Sequence, residues 1–285
     1  MVNRGSDKAT GSMVDLEGEG VHWEQDMSYG QYLALERILD CQHPRSTQHD
    51  EMLFIVIHQV SELWMKLCLH EAYAAARHIE QDNLAPAFKM LSRIARIQEQ
   101  LIKAWEVLVT MTPADYASFR DTLGQSSGFQ SFQYRELEFL LGNKNPKMVE
   151  AHRAHPKHYQ HLTRVLHAPS IYDISLQLLK RRGFDIPDHC LARDWSQPYQ
   201  ACAEVEQAWS RVYQQTDEHW DLYELAEKLV DMEYNFQKWR FSHMKTVERI
   251  IGYKKGTGGT GGVSYLVKAL DLQFFPELWS VRTAI

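Results

Sequence analysis

Apolar side chains recur along this chain at steps of three and four residues and almost nowhere alternate in twos, the spacing of helices rather than strands. Stretches free of glycine and proline are long, notably residues 51–83 and then 84–110 with Pro86 as the one interruption. The pattern predicts a helix over each, with Pro86 in the first turn of the second, after the polar Gln81-Asp82-Asn83 turn. Breaks at 142–146, at 183–187 and at Pro198 bound further predicted helices over 134–141, 170–180, 199–213 and 219–251. Residues 1–20 are polar and glycine-bearing with almost no aromatic anchor and read as a mobile tail, so the fold is expected to begin near Val21. No fixed-period repeat or low-complexity linker divides the rest. The expectation is an all-α protein, one large helical bundle domain over residues 21–285, with room for a smaller helical appendage between about 145 and 200.

Composition narrows the function classes. A hydrophobic fraction of 44% and a charged fraction of 24% suit a compact globular chain. The net charge of −6, without a dense run of Lys and Arg, argues against nucleic-acid binding. The longest unbroken aliphatic and aromatic run is residues 52–57, where a spanning helix needs roughly twenty, so no membrane association is expected. The first residues lack the apolar core of a secretory signal, which points to a cytoplasmic location. Cys41, Cys68, Cys190 and Cys202 show no CxxC or CxxCH spacing and read as reduced, mostly structural thiols.

Three places carry candidate chemistry. Met232, Phe236, Trp239, His243, Val247 and Ile250 share one helix face, so His243 points where apolar side chains point. That suits a core histidine with a satisfied hydrogen bond, and equally an axial ligand, because a haem pocket needs an apolar wall with one imidazole aimed at iron. Phe54 and His58 lie one turn apart among Leu53, Ile57 and Met65, fitting either core packing or a pocket wall. Tyr116 and Arg120 are likewise a turn apart behind Pro113, which suits a helix start; they fit a surface ion pair or a grip on a carboxylate.

Two further patterns mislead. Gly256-Thr-Gly258-Gly-Thr-Gly261 matches the dinucleotide fingerprint GxGxxG but follows a predicted helix instead of a strand, which leaves a flexible loop with the composition of a lid. His152, His155, His158 and His161 recur every three residues, yet Pro156 sits among them and no acidic residue completes a known metal motif, so a solvated face is expected.

Taken together, several segments resemble the tryptophan 2,3-dioxygenase family in its bacterial form. In order they are Tyr29-Gly-Gln-Tyr32-Leu33, His49-Asp-Glu-Met-Leu-Phe54-Ile-Val-Ile-His58-Gln, Glu62-Leu-Trp64-Met-Lys66 and Phe119-Arg120-Asp-Thr-Leu-Gly124-Gln-Ser-Ser127-Gly128-Phe-Gln-Ser. They continue with Phe241-Ser-His243-Met-Lys-Thr-Val-Glu-Arg-Ile-Ile-Gly252, Lys255-Gly-Thr257-Gly-Gly-Thr-Gly-Gly-Val-Ser-Tyr265-Leu and Phe275-Pro-Glu-Leu-Trp279. The resemblance implies a helical fold enclosing one b-type haem per subunit, with His243 as the iron ligand and Ser127 and Gly128 close to the haem. It implies L-tryptophan and O2 as substrates and N-formyl-L-kynurenine as product. His58 would lie within reach of the indole N–H, Phe54 against the ring, Tyr116 and Arg120 on the carboxylate, and Thr257 at the amino-acid end. It also implies a homotetramer in which Tyr29, Tyr32 and Leu33 reach a neighbouring subunit's pocket. Other classes stay open at this point: a haem protein of the same fold acting on a different indole, a haem-free helical interaction protein, or a non-haem metal enzyme using the histidine row.

Overall fold

A computed structural model describes residues 27–259 and 261–285, together with the backbone of two short strands nearer the N-terminus. The chain divides into two compact units, Met1–Arg45 and Ser46–Ile285. In the first, β1 (Met13–Leu16) pairs antiparallel with β2 (Glu19–His22), with Val14 opposite Val21. The expected tail therefore contains a paired strand, while the rest of residues 1–12 and 17–18 lies outside the described residues. Two short helices follow, α1 (Tyr29–Leu33) and α2 (Leu35–Leu39), separated at Ala34 by a left-handed backbone (φ 51°). Ser28 caps α1 through a capping box with Gln31.

Among the described residues of the second unit every regular element is a helix. Its frame is three long helices, α3 (His49–Glu80), α4 (Leu84–Leu108) and α11 (Trp220–Ile251), with α4 packed against both of the others. The α4 stripe shows why: Leu84, Ala87, Leu91, Ile94, Ile97, Leu101, Ala104 and Leu108 recur at three- and four-residue steps and are all buried. Around the frame lie α5 (Pro113–Phe119), α6 (Phe132–Leu141), α7 (Pro156–Leu166), α8 (Ile171–Arg181), α9 (Asp188–Leu191), α10 (Ala203–Gln214), α12 (Val263–Leu270) and α13 (Pro276–Ala284). Proline opens α5, α7 and α13, where its missing N–H costs nothing, and Thr112 and Ser170 close capping boxes on α5 and α8.

By length and composition α3 is apolar enough to cross a membrane. It nonetheless packs on α4, α6 and α8 and buries Glu51 and Glu71, the latter 2.6 Å from the Arg93 guanidinium on α4, which are the surroundings of a helix in a bundle. A buried ion pair ties α6 to α11: Glu138 accepts from Arg240 Nη2 at 2.8 Å and from Tyr134 Oη at 3.0 Å, and it also pairs with Arg135. Arg240 spends its remaining Nη1 donor on the carbonyls of Ala269 and Leu272, both at 3.1 Å, so the end of α12 is fastened to α11.

The histidine row is not a solvated face. His152 is buried with Nε2 unpartnered, His158 stacks on Phe132 at 4.1 Å, and His161 Nε2 lies 2.7 Å from Glu136; only His155 is exposed. The cause is α7 itself, which begins at Pro156 and turns His158 and His161 toward α6.

Candidate active site

The second unit contains a cavity of about 1480 Å³ between α3, α4, α6 and α11, with residues 126–131 and the loop after α11 forming part of its wall. Small-ligand pockets run to roughly 300–1,000 Å³, so this one has room for two occupants side by side. Phe54 and His58 from α3, Trp105 from α4, Tyr116 from α5, Ser127 and Gly128, Trp239 and His243 from α11, and Thr257 all line it.

The α11 stripe divides in a way periodicity does not reveal. Met232 and Phe236 are sealed in the core, whereas Trp239, His243 and Val247 turn to the cavity wall. His243 stacks on Trp105 (ring centroids 4.7 Å apart, 26° between planes) and on Trp239 (5.7 Å, 23°). Its imidazole has no hydrogen-bond partner among the described residues. Burial, with a smaller contribution from the nearby His58, drops its pKa to about 4, so the ring is neutral and its nitrogen lone pair is available to a metal.

His58 is arranged differently. Its Nδ1 lies 2.7 Å from the Phe54 carbonyl, one turn earlier in α3. A carbonyl only accepts, so Nδ1 carries the hydrogen and Nε2 keeps a free lone pair. Burial again lowers the pKa, against the raising effects of that hydrogen bond and of Glu62. The cavity thus holds two neutral imidazoles, one unpartnered and one locked in a tautomer that presents an acceptor. Phe54 packs against His58 at 4.2 Å and lies 6.0 Å from Tyr116 and 5.8 Å from Phe119, an aromatic wall on this side.

Arg120 stands apart from that list. It lines a smaller neighbouring pocket of about 270 Å³, which shares Tyr116, Ile250 and Ile251 with the large cavity. Its Nη2 donates to the Lys255 carbonyl at 2.7 Å, and it interacts with the Tyr116 hydroxyl, an effect that works against the rise in the Tyr116 pKa caused by burial. The first part of the glycine-rich loop is therefore held down at two points: Arg120 grips Lys255, and the Thr257 hydroxyl donates to the Ser126 carbonyl at 2.5 Å. Two glycines make this closeness possible. A Cβ on Gly258 would sit 2.7 Å from Ser127 Cβ, and one on Gly262 would sit 2.6 Å from the Lys254 carbonyl at a backbone φ of +62°. The loop runs from α11 into α12 with no strand before it, so the GxGxxG letters mark a close loop packing and no dinucleotide site.

Sequence reasoning passed over Trp105 and Tyr134. Trp105 contacts both histidine rings, and its indole Nε1, like that of Trp239, is buried without an acceptor. Its only signal is membership of the α4 stripe, where an aromatic reads as core. Tyr29, Tyr32 and Leu33 belong to the first unit, on α1, where Tyr29 and Tyr32 are each 76% exposed.

The sequence profile described as tryptophan 2,3-dioxygenase matches residues 17–164 and 210–285. The chain belongs to the tryptophan 2,3-dioxygenase family. Relatives carrying that name include a Ralstonia pickettii protein, 56% identical over 276 residues that cover 95% of this chain and 99% of the relative. The Erythrobacter litoralis protein is 60% identical over 261 residues (92% and 99%), and the Bacillus cereus protein 55% identical over 269 residues (94% and 96%). The family profile covers α3, α4 and α11, and with them every residue drawn from the resemblance, while leaving 165–209 unmatched.

Proposed function

We propose that this chain is a haem-dependent dioxygenase that inserts both atoms of O2 across the indole C2–C3 bond of L-tryptophan, giving N-formyl-L-kynurenine in the first step of tryptophan breakdown by the kynurenine pathway. The observation that carries the reading is the pair of neutral imidazoles in one two-occupant cavity: His243 without a protein partner, and His58 with its acceptor nitrogen free. The donor set suits one b-type haem per subunit. A neutral imidazole on an apolar wall suits a protein ligand to haem iron, and the unpartnered indole N–H groups of Trp105 and Trp239 would find acceptors in an occupant of the cavity. When bound, haem would supply the iron and the O2 chemistry.

The remaining roles fall to this chain's side chains. His243 would hold the iron, and Ser127 and Gly128 would flank the cofactor. His58 Nε2 would accept the indole N–H, fixing which edge of the ring faces the reacting centre, while Phe54 stacks against the ring. Arg120 uses one of its five donors on Lys255 and another faces the Tyr116 hydroxyl, so three remain, enough for a two-pronged grip on a substrate carboxylate. Thr257 donates to Ser126, which leaves its hydroxyl oxygen free to accept from an ammonium. Holding the substrate at both ends is how positioning lowers the barrier.

We further propose a homotetramer in the cytoplasm, with Tyr29, Tyr32 and Leu33 entering a neighbouring subunit's pocket. Support comes from the exposed tyrosines of α1 and from an outward stripe of Met52, Val56, Leu63 and Leu67 on α3, an apolar face that a partner subunit would cover. The experiment is an optical spectrum of the reduced, porphyrin-supplied protein with and without L-tryptophan under CO, run beside an assay for N-formyl-L-kynurenine. A haem band that shifts on adding L-tryptophan, with product formed under O2, is expected. A colourless protein would end the proposal.

A further inference from the structure

The stretch that the family profile leaves unmatched, 165–209, contains a cluster that neither the haem nor the tryptophan chemistry uses. His189 and Cys190 sit on α9, and Cys202 immediately precedes α10; one ligand atom from each lies within 4.8 Å of both others. His189 Nε2 and Cys202 Sγ are 4.0 Å apart, close to the ~3.6 Å edge of a tetrahedral zinc site with bonds of about 2.3 Å to sulfur and 2.0 Å to nitrogen. The Glu204 carboxylate, which accepts from Cys202 Sγ at 3.0 Å, lies outside that three-atom cluster and would swing in to complete a fourth position.

We infer that His189, Cys190, Cys202 and Glu204 form a structural site for a soft divalent cation of the zinc class, separate from the catalytic cavity. The chemistry of the donors decides the class: two sulfurs, an imidazole nitrogen and a carboxylate oxygen match zinc's preferences and suit neither magnesium nor calcium. Without a cation the Cys202 Sγ keeps its hydrogen and donates it to the Glu204 carboxylate. Binding would exchange two S–H bonds for two metal–sulfur bonds and release two protons, with no oxidant or reductant needed.

The position suggests what the cation does. The loop between α9 and α10 is otherwise held by Arg193 on Asp173 and by Glu277, which accepts from Tyr199 Oη at 2.7 Å and from the Cys202 N–H at 2.8 Å. Gln197, Pro198 and Tyr199 of that loop line the large cavity. A cation joining the two ends of the loop would fix this part of the wall.

The test uses the holoenzyme purified in reductant, supplied with zinc and dialysed against a weak chelator, with zinc and iron counted per chain. About one zinc per chain is expected, with an X-ray absorption shell of two sulfurs near 2.3 Å and nitrogen or oxygen near 2.0 Å. The variant Cys190→Ser with Cys202→Ser should lose the zinc and keep its iron. Should that variant fail to fold, His189→Ala decides, because His189 is exposed and its loss should weaken zinc affinity by about tenfold or more without changing haem content. Less than about a tenth of a zinc per chain, or zinc retained by the double variant, would overturn the inference. So would peptide mapping of the protein purified without reductant that finds Cys190 joined to Cys202 as a disulfide, since all four cysteines are free thiols in the structure.

Discussion

Truncating Arg120 to alanine tests the carboxylate clamp more sharply than any other change, because the structure gives Arg120 two jobs that can be separated. One is to the substrate. A charge-assisted hydrogen bond contributes about 1.5–3 kcal/mol, so a two-pronged grip on a carboxylate is worth roughly 3–6 kcal/mol before solvent competition. Arg120 is only half-buried and opens on a pocket shared with solvent, which favours the low end. A loss of about 3 kcal/mol corresponds to a rise of roughly 150-fold in KM for L-tryptophan. The other job is to the loop, through the 2.7 Å bond to the Lys255 carbonyl. Water can replace that exposed bond at a net cost of about 0.5–1.5 kcal/mol, and the loss falls on every substrate alike. Steady-state rates with L-tryptophan, set against the binding of a 3-substituted indole lacking the carboxylate, separate the two. The analogue should weaken by no more than about tenfold, and Arg120→Lys should fall between, since an ammonium keeps the charge but not the planar fork. If L-tryptophan and the analogue weaken by the same factor, Arg120 acts through the loop alone and the clamp is refuted.

His243→Ala should abolish stable haem binding, read as iron and porphyrin per chain, while His58→Ala keeps the haem and loses rate by about tenfold for one lost hydrogen bond; equal haem in wild type and the His243 variant would refute the ligand assignment. Gly258→Ala places a methyl 2.7 Å from Ser127 Cβ, so the loop must lift; KM for L-tryptophan should rise while haem content and thermal stability stay at the wild-type values. Lys144 is fully buried, with Nζ donating to the carbonyls of Val165 and Ala168, both at 2.8 Å, and burial lowers its pKa from 10.5 to about 7. Between pH 7 and 10.5 the unfolded chain then holds a proton that the folded chain has released, so this group adds stability as pH rises, by up to about 1.4 kcal/mol per unit, and its effect is level below pH 7. Urea unfolding at pH 7, 8 and 9 should show wild type gaining on Lys144→Met by that slope, and parallel curves would refute it.

Where the sequence is legible, the reason is local. The α4 stripe, the proline at the start of α5 and the polar turn before Pro86 act within a few residues of themselves, and each lands where its spacing predicts. Where it misleads, a partner far along the chain has intervened. The helix expected from residue 199 begins instead at Ala203, because the Cys202 N–H is taken by Glu277 and the Tyr199 hydroxyl by the same carboxylate, which holds 199–202 extended. The histidine row reads as solvated because nothing in its own spacing announces Phe132 and Glu136 on α6.

The site divides along the same line. Spacing alone puts His58 and His243 on apolar faces but cannot bring them into one cavity; α4 does that by packing against both α3 and α11, and Trp105, the residue whose ring touches both imidazoles, is the one that spacing marks as ordinary core. The cysteines make the converse case. Cys190 and Cys202 fail every short metal-binding spacing, yet a reversal between α9 and α10 returns the second thiol to the first, beside a histidine adjacent in sequence. Metal motifs read from sequence presuppose that ligands come in tight local pairs. A pair closed by an eleven-residue loop violates that premise without violating the geometry a cation needs, so its absence from the sequence reading says nothing against its chemistry.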